Sequence, residues 1–142
     1  ANFPRIMNER VITLKLTQVH HIAINTLNIE ESVRFYQRMF GFAEVSRADM
    51  GACILVYLKV AENTFLELFD LKGACEEGSV PENLQGLRHI AFDVTDIEAW
   101  NRSLKEKGAE FTMELCAMEP IGKKGLLIRD PNGVIVELCE DI

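Results

Sequence analysis

Two stretches of the chain carry the same order of apolar and polar positions, 68 residues apart. Residues 20–40 read HHIAINTLNIEESVRFYQRMF, and residues 88–108 read RHIAFDVTDIEAWNRSLKEKG. At this offset His21 falls on His89, Ile22 on Ile90, Ala23 on Ala91, Ile29 on Ile97 and Glu30 on Glu98. A later pair, TFLELF at 64–69 and VIVELC at 134–139, aligns at an offset of 70. Two ordered matches at nearly equal spacing indicate a duplicated module. Each copy opens with alternating, Ile-rich residues that predict a strand, over His21–Thr26 and His89–Val94. Asn28 and Asp96 are N-cap residues, and Val33, Tyr36 and Phe40, like Trp100 and Leu104, recur at helical spacing. Helices therefore run to about Phe40 and Lys107, and Gly41 and Gly108 suit the left-handed residue that ends them.

Three strands follow in each copy, over roughly 43–48, 52–60 and 64–70, and over roughly 110–116, 124–129 and 134–139. The turn Asp130-Pro131-Asn132-Gly133 joins the last two. The fold class is α+β: a single domain over 1–142, built from two βαβββ modules at about 17–70 and 87–140 with a loop-like linker at about 70–86. Val11–Leu16 allows one extra strand outside the repeat.

Strand side chains alternate in direction, so the repeat also fixes which residues share a face. His21, Ala23 and Asn25 share one face of the first strand; His89, Ala91 and Asp93 share it in the copy. In the last strand of each module Phe65, Glu67 and Phe69 lie together, as do Ile135, Glu137 and Cys139. The opposite sides, with Leu66, Leu68, Val136 and Leu138, are apolar and suit packing on helices. A lone carboxylate on such a strand is costly unless paired, protonated or bound to a cation. His21 and Glu67 are 46 residues apart, and His89 and Glu137 are 48 apart. Two imidazoles and two carboxylates at repeated positions suit a borderline divalent ion such as Ni²⁺, Zn²⁺, Co²⁺, Fe²⁺ or Mn²⁺. Pseudo-symmetry is expected to gather the four. His20 aligns with Arg88, and alternation predicts that it points away from His21.

Asn25, Phe65, Phe69, Asp93, Lys123, Lys124 and Arg129 are candidate substrate contacts. For the phenylalanines core packing is the competing reading, and for the three cations a solvated loop. Tyr36 and Trp100 suit helix-to-sheet packing, and Cys139 a buried structural thiol.

Composition narrows the function further. Apolar residues make up 48% of the 142 and charged residues 26%, an ordinary globular balance. Fifteen Lys and Arg against 22 Asp and Glu give a net charge of −7, which argues against nucleic acid and anionic membranes as partners. The cysteines at 53, 75, 116 and 139 form no C-x-x-C pair, and no apolar run has membrane-spanning length. With no secretory signal visible at the start, a cytoplasmic protein with a small-molecule substrate is expected.

The segments HHIAINTLNIEESVRFYQRMFGF, FLELF, LRHIAFDV and RDPNGVIVEL resemble the vicinal oxygen chelate superfamily, over about residues 17–140. That superfamily includes glyoxalase I, methylmalonyl-CoA epimerase, extradiol dioxygenases and the fosfomycin and bleomycin resistance proteins. The resemblance implies a cup-shaped mixed sheet around one divalent metal, and a homodimer. His21, Glu67, His89 and Glu137 match the four ligand positions of glyoxalase I-like enzymes. The implied activity is a metal-dependent lyase or isomerase acting through a metal-bound enediolate on a small carbonyl or thioester, with Glu137 as base and Glu67 as its symmetry-related partner. Two departures count against glutathione: Asn25 stands where glyoxalase I typically has Arg, and Leu71 where it usually has Asn. They favour the alternative of a methylmalonyl-CoA epimerase-like isomerase. A non-catalytic drug-binding resistance protein is the alternative from another class, and an iron dioxygenase the third reading.

Overall fold

The computed structural model describes residues 14–78 and 83–142. The first module holds β1 (His21–Thr26), α1 (Ile29–Phe40), β2 (Ala43–Asp49), β3 (Ile54–Ala61) and β4 (Thr64–Asp70). The second holds β5 (Ile90–Asp93), α2 (Ile97–Glu106), β6 (Glu110–Met118), one 3₁₀ turn (Glu119–Ile121), β7 (Lys123–Arg129) and β8 (Ile135–Asp141). The βαβββ order is thus present twice. Each module forms its own four-stranded mixed sheet, in the orders β1-β4-β3-β2 and β5-β8-β7-β6. The strand that opens each module runs parallel to the one that closes it, and the other pairs are antiparallel. The extra strand expected at Val11–Leu16 falls partly outside the described residues; Leu14, Lys15 and Leu16 are not in a strand. Among the described residues, no helix is long and apolar enough to cross a membrane.

The helices start and stop where local chemistry dictates. The Asn28 side chain accepts from the Glu31 N–H, and Gly41 closes α1 in the left-handed region at φ 73°. Asp96 caps α2 by accepting from Ala99 N–H, although its own backbone is left-handed at φ 56°. Glu140 of β8 offsets that strain: its two oxygens accept from the N–H groups of Asp96 and Ile97, at 2.8 and 3.1 Å. A carboxylate there also complements the positive end of the helix.

Each sheet buries one face against its helix. Val56, Leu58, Leu66 and Leu68 meet Val33, Tyr36 and Met39, while Leu126, Ile128, Val136 and Leu138 meet Ile97 and Leu104. Aromatic rings join the modules, with Phe40 touching Phe92 and Trp100, and Phe42 touching Phe92.

A polar clasp lies beside this apolar seam. The Tyr36 hydroxyl donates to Asp130 Oδ2 at 2.8 Å, across 94 residues of chain. The Asn132 amide donates to Ser32 Oγ and accepts from Leu27 N–H. Burial, reinforced by the Asp130 carboxylate, holds the Tyr36 phenol well above its ordinary value near 10. A phenol raised in the folded state stabilises the fold below about pH 10, and that stability is lost as pH rises further. The urea midpoint is therefore expected to fall above about pH 10, with up to roughly 1.4 kcal/mol lost per pH unit from this group. Tyr36→Phe should show a flatter alkaline limb in urea titrations from pH 8 to 11.5; an unchanged slope counts against Tyr36 as its source.

Candidate metal centre

The parallel ladders bring the histidine strand beside the glutamate strand in each module. Ala23 pairs with Glu67 in the β1–β4 ladder, and Ala91 with Glu137 in the β5–β8 ladder. Each histidine then sits two residues before its glutamate's partner, on the same face. His21 Nε2 lies 3.5 Å from Glu67 Oε1, and His89 Nε2 lies 2.8 Å from Glu137 Oε1. Each module thus forms one His–Glu contact. The gathering of all four does not occur within one chain: among the described residues, no group of three or more His, Cys, Asp or Glu is placed to hold a metal ion.

Both pairs lie on the sheet faces turned away from the helices. His21, Ala23 and Asn25 are exposed there, while Glu67 is buried. A donor set of two imidazoles and two carboxylates fits a borderline divalent ion. In addition, His89 Nδ1 is buried and makes no hydrogen bond. A crevice of about 320 Å³ between the β1 and β5 edges is lined by Ile22, Asn25, His89, Ile90 and Asn132 among others.

The other predicted contacts fall into two groups. Phe65 and Phe69 are half-buried on the Glu67 face, and Asp93 is exposed on the continuation of the His89 face. Lys123, Lys124 and Arg129 belong to β7 and its sheet, not to a loop. All three have carboxylate partners. Lys123 pairs with Asp141, and Arg129 Nε lies 3.8 Å from Glu110. Lys124 lies 2.6 Å from Glu98 of α2 and 3.9 Å from Glu140, so it is drawn to the helix side. Burial, followed by the charges of Glu137 and Asp93, pushes the Cys139 thiol up, the reverse of what a nucleophilic thiolate needs.

His20 corrects the alternation argument. β1 begins at His21, and His20 stands just before it, with its carbonyl accepting from Phe65 N–H at 2.8 Å. Its Nδ1 lies 2.8 Å from His21 Nδ1, and its ring packs near Phe65 and Tyr57. Tyr57 is a residue that sequence reasoning missed. It faces Glu67 directly across the β3–β4 ladder, and the nearby Glu67 carboxylate holds the phenol above its ordinary value.

Two four-stranded βαβββ sheets, each presenting a His–Glu pair on its open face, define a duplicated-module α+β fold. Residues 18–138 match the Glyoxalase/Bleomycin resistance protein/Dioxygenase superfamily, and the chain belongs to that superfamily. It is 34% identical over 129 residues to the uncharacterized protein YwkD of Bacillus subtilis, covering 88% of this chain and 98% of that one. It is 30% identical over 133 residues to the mitochondrial methylmalonyl-CoA epimerase of Dictyostelium discoideum, covering 87% of this chain and 78% of that one. The crystal structure of a glyoxalase family protein from Enterococcus faecalis superposes with a TM-score of 0.73 at 34% identity, covering 87% and 97% of the two chains.

Proposed function

We propose that this protein is a divalent-metal-dependent, glyoxalase I-like lyase or isomerase that moves a proton between neighbouring carbons of a small carbonyl or thioester substrate. The observation that carries this reading is the His–Glu contact formed twice, at equivalent ladder positions on two open sheet faces. His21, Glu67, His89 and Glu137 are the residues that would hold the ion. Because the two pairs do not meet within the chain, the reading includes a homodimer in which the first-half pair of one protomer faces the second-half pair of another.

A divalent ion supplies Lewis acidity toward a carbonyl oxygen, which lowers the cost of removing the adjacent C–H proton. The chain's own groups do the rest. Glu137 takes the proton from one carbon and returns it to the next, and Glu67 stays in place as a ligand. Phe65 and Phe69 give the substrate an apolar wall, and Asn25 and Asp93 a polar rim. Lys123 and Arg129 meet an anionic group only by leaving their carboxylate partners. Asn25 and Leu71, together with the epimerase likeness, favour a thioester substrate over a glutathione adduct.

Two measurements test the reading. Adding Ni²⁺, Zn²⁺ or Co²⁺ at about 100 times Kd should stabilise the fold by roughly 2.7 kcal/mol, seen as a rise of several degrees in Tm. A turnover screen of the metal-loaded protein should cover acyl-CoA epimers and methylglyoxal, the latter with and without glutathione. No rise in Tm, with less than about a tenth of an equivalent of metal retained, would refute the metal-dependent reading.

A further inference from the structure

The four proposed ligands repeat between the modules, but the groups behind them do not. In the first module Tyr57 stands opposite Glu67 in the ladder, on the same face and with its ring against Phe65. In the second module the position opposite Glu137 is Leu127, which has nothing to donate. The imidazoles differ in the same sense. His21 Nδ1 has His20 Nδ1 at 2.8 Å, whereas His89 Nδ1 is buried with no hydrogen-bond partner. His20, Tyr57 and Phe65 pack on one another, with ring centroids 5.3 to 6.3 Å apart, so both groups behind the first pair are themselves held.

Space differs as well. A Cβ built at Gly125 would lie 3.1 Å from Glu137 Oε2 and 2.7 Å from Met118 Cε, so glycine is what leaves room for that carboxylate. Gly125 pairs with Cys139 in the ladder; the position that matches it in the first module is Leu55, opposite Phe69.

We infer that Tyr57 and His20 are positioning residues that pin Glu67 and His21, and that their absence from the second half leaves Glu137 as the carboxylate able to move. Hydrogen bonds behind a metal ligand fix its orientation and commonly change metal affinity 10–100-fold when removed. A hydrogen bond from the Tyr57 hydroxyl, which its place opposite Glu67 allows, leaves that carboxylate fewer ways to reorient. Through its Nδ1 contact, His20 keeps the His21 ring turned with Nε2 toward Glu67. Glu137, with a leucine opposite and a glycine beside it, can swing without breaking such a bond. This inference rests on the metal-dependent reading proposed above.

Co²⁺ binding to the full chain, measured by calorimetry, tests it without any substrate. Tyr57→Phe should weaken Co²⁺ about 10–100-fold in the wild-type background and cause no further loss in Glu67→Gln. His20→Ala should weaken it in the same range, and His20→Gln, which keeps an acceptor, should restore much of the affinity. His20 is exposed and outside the strand, so its variants keep the test open if Tyr57→Phe folds poorly. Glu67→Gln should cost at least tenfold more affinity than Glu137→Gln. Additive losses for Tyr57 and Glu67, or equal losses for the two glutamates, overturn the inference while leaving the metal-dependent reading intact. Wild-type protein that binds no Co²⁺ overturns both.

Discussion

Glu137→Gln is expected to lower kcat by about 10²- to 10⁴-fold, the usual cost of losing a general base. The amide keeps the size and an oxygen donor but cannot accept the proton. Its effect on Co²⁺ affinity should be much smaller, because His21, Glu67 and His89 remain. Steady-state kinetics on the substrate that the screen identifies, beside metal content, separates the two quantities. Activity unchanged in the variant would remove Glu137 from the role of base. Loss of activity and metal in parallel would make it a ligand only.

Asp130→Ala is expected to have the largest effect on stability. The Asp130 carboxylate accepts from the Tyr36 hydroxyl and from the backbone N–H groups of Asn132 and Val134, at 2.7 to 2.8 Å. Tyr36 is fully buried, so truncation leaves its hydroxyl with no acceptor and no water. A buried group left unpaired costs about 1–3 kcal/mol, so the buried Tyr36 hydroxyl together with the half-buried N–H groups of Asn132 and Val134 places the loss at roughly 2–6 kcal/mol. Since the bond crosses between modules, the lost stability should appear as an unfolding midpoint lower by on the order of 10 °C. Asp130→Asn keeps an acceptor and should lose less. Combining Asp130→Ala with Tyr36→Phe should recover part of the loss, because the orphaned hydroxyl is gone. Equal unfolding midpoints for Asp130→Ala and wild type would show that the clasp is not a source of stability.

Much of the fold was legible because a duplication makes each half a check on the other. The strand at His21–Thr26, the cap at Asn28 and the stop at Gly41 are local signals, and the structure shows each of them. The faces that carry His21, Glu67, His89 and Glu137 were legible from the two-residue period, whereas the parallel ladders that bring each His to its Glu are seen only in the structure. Tyr57 was not legible. Counting back from the Ala61–Thr64 pair at the hairpin tip places Leu58, not Tyr57, opposite Glu67. An irregularity between Lys59 and Ala61 moves the register by one residue and brings Tyr57 there instead. His20 was misread because alternation speaks of the direction in which a side chain leaves the backbone, and not of the contact its ring then makes with the His21 ring. The Tyr36–Asp130 bond joins groups 94 residues apart, and spacing shows Tyr36 only as an apolar face residue.

Strand β8 carries two glutamates that answer to different neighbours. Glu137 turns toward the open face, and Glu140, three residues on, turns to the helix and holds the first N–H groups of α2. An odd interval on a pleated ribbon sends the two carboxylates to opposite sides. Deleting or inserting a single residue between them would put both on one side, stripping either the helix start or the His89 contact. The interval from 137 to 140 should therefore tolerate changes of residue far better than changes of length.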